Sequence, residues 1–111
     1  MINVEPQGAV DVVRLSGPLN HENAGQLVET VQAELADGQP MIVLDMNDVP
    51  LVDSAGLDAL MDIHDWTLLK GGGVKLASLT PLCGDVLRVT GLAGLFQIYK
   101  DVKVAVGSFV Q

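Results

Sequence analysis

In Val49-Pro50-Leu51-Val52-Asp53-Ser54-Ala55-Gly56-Leu57 a loop leaving a strand turns into a helix, and a serine stands at the turning point. Upstream, Met41-Ile42-Val43-Leu44 is a short apolar run of strand character. Downstream, Leu57, Leu60, Met61, His64 and Leu68 recur at helical spacing. Ser54 is therefore the expected N-cap, since a serine oxygen accepts well from the unpaired N–H groups of a first helical turn. The same position offers a hydroxyl to a modifying enzyme. From this segment alone, a structural cap and a modifiable hydroxyl are both open readings.

On the N-terminal side, Ile2 to Val4 and Ala9 to Leu15 predict a hairpin turning at Pro6-Gln7-Gly8. After Gly17-Pro18, Asn20 is the expected cap of a helix whose Ala24, Leu27, Val28, Val31 and Leu35 share one stripe, and Gly38 and Pro40 stop it. Met41 to Asp45 reads as a central strand, because a continuous apolar run suits a strand covered on both faces. The Ser54 helix is expected to reach about Lys70, with Gly71-Gly72-Gly73 supplying a left-handed stop. This triple glycine lacks the preceding strand and following Lys-Ser/Thr of a phosphate loop. Val74 to Ala77 predicts a strand, Pro81 to about Val89 a helix closed by Thr90-Gly91, Gln97 to Tyr99 a strand, and Val102 to Phe109 a helix capped by Asp101. Strands alternating with helices indicate an α/β domain with a largely parallel or mixed sheet.

A chain of 111 residues that is 49% hydrophobic and 18% charged is expected to fold as one domain over residues 1–111, with an aliphatic core. Six Lys and Arg against fourteen Asp and Glu leave a net charge of −8. That charge repels phosphate backbones and anionic lipid, so neither nucleic acid nor membrane is an expected partner. Cys83 is the single cysteine and there are two histidines, which leaves no zinc-site spacing; no metal or cofactor is expected. The N-terminus lacks the basic and apolar regions of a secretory signal, and no apolar run approaches the ~20 residues that span a bilayer. A cytoplasmic protein is the expectation.

On a helical wheel with Ser54 at 0°, Leu57, Leu60, Met61, His64 and Leu68 cluster as the expected core face, whereas Asp58, Asp62 and Asp65 share an outward stripe with Ser54. Leu69 and Trp66 border that stripe. An apolar pair among acids suits a contact surface, although a charged stripe is equally what a solvated face looks like. A serine hydrolase reading with His64 as base fails on geometry. Ten residues of one helix separate Ser54 from His64 by about 15 Å, against the ~3 Å that a nucleophile and its base need. His21 lies more than thirty residues upstream.

Leu15-Ser16-Gly17-Pro18-Leu19-Asn20, Ile42-Val43-Leu44-Asp45, Val52-Asp53-Ser54-Ala55-Gly56-Leu57 and Gly91-Leu92-Ala93-Gly94-Leu95-Phe96 together resemble the STAS domain, the fold of sulfate transporter tails and bacterial anti-sigma factor antagonists. The resemblance covers nearly the full length, and its specific part is Asp-Ser-x-Gly-Leu. It implies a mixed central β-sheet with an N-terminal hairpin and about four α-helices. By size and by this segment the chain resembles the small stand-alone antagonists. In those, an anti-sigma factor that is also a serine kinase phosphorylates the serine after the aspartate. Here that serine is Ser54, preceded by Asp53. The resemblance thus implies a non-enzymatic regulator of transcription that binds the kinase while unphosphorylated and so releases a sigma factor, with a serine phosphatase as a further partner. The partner-binding surface is expected to comprise Asp53, Ser54, Ala55, Gly56, Asp58, Asp62 and Asp65, with Gly56 admitting a partner's backbone. Two residues depart from the family pattern: Ala55 replaces a second hydroxyl, and Asp58 stands where a small or variable residue is usual. Both suit an alternative, an accessory or scaffold subunit of lipid-transport or stressosome-like type without serine phosphorylation.

Overall fold

A computed structural model describes residues 2–35 and 38–110. Its elements run β1 (Ile2–Gln7), β2 (Val10–Ser16), α1 (Ala24–Glu34), β3 (Met41–Asp48), α2 (Ser54–Leu69), β4 (Gly73–Ala77), α3 (Pro81–Val89), a 3-10 turn (Leu92–Gly94), β5 (Gln97–Tyr99) and α4 (Val102–Phe109). The sheet order β1-β2-β3-β4-β5 follows the chain. β1 pairs antiparallel with β2, and every later pairing is parallel. The mixed α/β sheet, the hairpin and the four α-helices are those expected.

Sequential parallel strands joined by right-handed crossovers must send every crossover helix to one face. The larger core lies there: Val13, Leu15, Ile42, Leu44, Met46, Val74 and Leu76 of the sheet meet Leu27 and Val31 of α1, Leu60 and Ile63 of α2, and Cys83 and Leu87 of α3. The second face holds a smaller cluster, Val10, Val12, Val43 and Ala77 under Ala105 of α4. β3 is thus central and covered on both sides, as its unbroken apolar run requires.

Several boundaries differ from the sequence expectation. The hairpin turns at Gly8, with φ of 63°, while Pro6 and Gln7 remain in β1. An edge strand tolerates a residue without an N–H. α1 begins at Ala24 with Asn23 at the cap position, and Asn20 instead accepts from the N–H of Glu22 within a preceding turn. At the far end of α2, Gly71 N–H donates to Leu68 and Gly72 N–H to Thr67, a Schellman closure with Gly71 at φ of 77°. Gly73 already belongs to β4.

The core face of α2 is rotated from the one expected. Gly56, Ala59, Leu60, Ile63 and Thr67 are buried, whereas Leu57, Met61 and His64 flank them and Leu68 is 57% exposed. Apolar bulk along the helix does not by itself set the buried face. The helix instead lies close to its neighbours on its small residues, and Thr67 satisfies its hydroxyl on the His64 carbonyl at 2.9 Å.

Candidate functional site

The loops that follow β2 and β3 emerge side by side at the carboxyl ends of the parallel strands, where open α/β sheets place their sites. They are stitched together. Gly17 N–H donates to Asp48, Leu19 N–H to Leu51, and Asp53 N–H back to Leu19, at 3.0, 3.0 and 3.1 Å, with Leu19 and Val52 forming a parallel bridge. Gly56 completes the junction. A Cβ there would lie 2.5 Å from the Leu19 carbonyl oxygen and 2.8 Å from Val52 Cγ1. Gly56 is buried, so the backbone it admits is that of its own chain.

Asp53, not Ser54, caps α2. Its backbone is extended (φ −93°, ψ −173°) and its Oδ1 accepts from Gly56 N–H at 3.0 Å. A carboxylate at this position satisfies an orphan donor and complements the positive end of the helix dipole, so Asp53 outcompetes the hydroxyl beside it. Ser54 becomes the first helical residue. Its side chain is exposed and makes no hydrogen bond among the described residues.

From Ser54, the exposed residues Asp58, Asp62 and Asp65 climb the outer face of α2, and Ala55 is half-buried beside them. Asp65 Oδ1 lies 3.2 Å from His64 Nδ1, whereas Asp58 and Asp62 have no ion-pair partner among the described residues. Both aspartates and Ala55 line an open groove whose other wall includes Gly25 and Glu29 of α1. Trp66 packs against the larger core, with the Lys70 ammonium 5.7 Å from its ring centroid.

The two histidines fall differently from their sequence positions. His64 is half-buried and meets Phe96 edge-on, ring centroids 5.4 Å apart. His21, remote in sequence, reaches the site: its Nδ1 lies 4.0 Å from Asp53 Oδ2. No local pattern announces that approach, because it depends on the pairing of two loops. Burial pushes the Asp11 carboxyl above its ordinary range, but Asp11 stands at the start of β2, the opposite end of the sheet. Among the described residues, no group of three or more His, Cys, Asp or Glu is arranged to hold a metal, and no helix is long and apolar enough to cross a membrane.

Known proteins share this fold. The STAS domain family model matches residues 1–105, and the chain belongs to that family. It is 28% identical to the anti-sigma F factor antagonist of Paenibacillus polymyxa, across 90% of this chain and 86% of that one. A candidate anti-sigma factor antagonist from Thermotoga maritima superposes with a TM-score of 0.92 at 26% identity, across 99% of this chain and 95% of that one. The Bacillus cell fate determinant SpoIIAA in its phosphorylated form shares the fold, with a TM-score of 0.77 at 19% identity and coverage of 98% and 99%.

Proposed function

We propose that this protein is an anti-sigma factor antagonist switched by phosphorylation of Ser54. Unmodified, it binds an anti-sigma factor that is also a serine kinase, and a sigma factor is released. The kinase ends the interaction by transferring the γ-phosphoryl group of ATP to Ser54 Oγ, leaving ADP and the hydroxyl's proton. A serine phosphatase resets the cycle, and the cytoplasm is where such partners meet.

The observation that carries this reading is the division of labour at the start of α2. Asp53 spends its carboxylate on the cap, so the exposed Ser54 hydroxyl is committed to nothing in the fold. Phosphorylation adds close to two negative charges and three acceptor oxygens beside Asp53 and Asp58. The helix dipole favours an anion there by about 0.3–1 kcal/mol, so the domain tolerates the modification. A partner surface fitted to a neutral hydroxyl does not, because it would have to desolvate the dianion. Docking is assigned to Ser54, Ala55 and the outward Asp58, Asp62 and Asp65, with Asp53 behind them; Gly56 contributes by shaping the junction.

The test is isolation of native complexes, with mass spectrometry of both the partner and Ser54. An ATPase of the histidine-kinase-like fold, together with phosphate on Ser54, supports the reading. A membrane transport ATPase or a scaffold assembly with Ser54 always unmodified would replace it by the accessory-subunit alternative.

A further inference from the structure

We infer that His21 is the counter-charge of the Ser54 site, the side chain that would grip a phosphate on Ser54 and set how much of its charge a partner meets. This rests on Ser54 being the phosphate acceptor. The turn that carries His21 is built rather than loose. Asn20 N–H donates to Asn23 Oδ1 at 2.9 Å, Glu22 N–H to Asn20 Oδ1 at 3.0 Å, and Asn23 Nδ2 to the Pro18 carbonyl at 2.6 Å. The Leu19 pairing with Leu51 and Asp53 then fixes this turn against the start of α2. The backbone is held, while the imidazole is 78% exposed and lies 4.0 Å from Asp53 Oδ2, on the residue that precedes Ser54.

Charge makes the case specific. Among the described residues, the charged side chains that the paired loops and their flanking turns carry beside His21 are Asp48 at the end of β3, Asp53 across the junction, Glu22 in the same turn and Asp58 one turn along α2, all acidic. The six Lys and Arg are elsewhere. Arg14 pairs with Glu5 and Asp45, Arg88 pairs with Asp85, Lys70 lies over Trp66 and Lys75 over Phe109, while Lys100 and Lys103 follow the far edge strand β5. His21 is therefore the side chain at this junction whose type can carry a positive charge near neutral pH, opposite the place a phosphate on Ser54 would occupy.

The experiment places phosphoserine at position 54 during translation, so that it needs no kinase, and follows its 31P resonance against pH. Wild type, His21→Gln and His21→Arg are compared, with thermal melts as the control for folding. The phosphate should titrate about 0.3–0.5 pH unit lower in the wild type than in His21→Gln, and at least as low in His21→Arg, whose charge is permanent. Coinciding midpoints in wild type and His21→Gln, or no lowering in His21→Arg, would overturn the assignment. Failure of a cognate kinase to modify Ser54 would instead sink the functional reading and leave this titration intact.

Discussion

Two β-to-α junctions lie side by side at the carboxyl end of the sheet, β3 into α2 and β4 into α3, and a hydroxyl stands in each. At the second, Thr80 is the N-cap, accepting from Cys83 N–H at 3.4 Å while donating to the Val49 carbonyl at 3.0 Å. Ser78, two residues earlier, sits at φ of 59° and donates to the Lys100 carbonyl at 3.3 Å. These hydroxyls are used up by the fold. At the first junction a carboxylate has taken the cap, and the hydroxyl one residue on is left exposed. A hydroxyl at a helix start becomes available for chemistry when a neighbour relieves it of its structural duty.

The largest expected effect belongs to the available hydroxyl. Phosphorylated Ser54 should cost about 3–4 kcal/mol of partner affinity, a loss of roughly 10² to 10³ read by calorimetric titration. Equal affinity for both forms would erase the functional difference between the junctions. Ser54→Asp should fall between, since one carboxylate imitates a phosphate only in part. Mass spectrometry after kinase treatment should find the phosphate on Ser54; phosphate chiefly on Ser78 or Thr80 would invert the comparison.

Next comes Gly56→Ala. Its Cβ would enter the space of the Leu19 carbonyl and Val52, which are backbone and packed core, so a destabilisation of about 3 kcal/mol is expected in denaturant melts. Wild-type stability would show that the two loops separate at no cost, and that the first junction is not stitched. Thr80→Ala and Asp53→Ala should each cost about 1–2 kcal/mol, because each removes a cap bond and Thr80 also abandons the Val49 carbonyl. The smallest effect is that of Ser54→Ala. It should change stability by less than about 0.5 kcal/mol and keep partner binding. A cost as large as that of Thr80→Ala would mean that Ser54, not Asp53, is the structural residue.

Periodicity and punctuation made most of the architecture legible. The strand at Met41, the helix at Pro81 and the short α4 with its Asp101 cap are each written within a few consecutive residues. The exposed line of Ser54, Asp58, Asp62 and Asp65 follows equally from 3.6 residues per turn. The cap of α2 is not legible in the sequence, because Asp53 and Ser54 are both good caps and the choice depends on which residue the incoming loop holds extended. That loop is held by Leu19, more than thirty residues away.

The α/β class, the hairpin, the order of elements and the placing of an acid-flanked serine at a helix start are all written in the amino-acid order, because each rests on spacing along a continuous stretch. That Asp53 takes the cap, that Gly56 must be a glycine, that small residues turn α2 onto the core and that His21 stands beside Asp53 emerge only once the chain is folded. Those outcomes depend on how the β2–α1 and β3–α2 loops pair, and adjacent parallel strands bring such loops together across a separation in sequence that no local pattern spans.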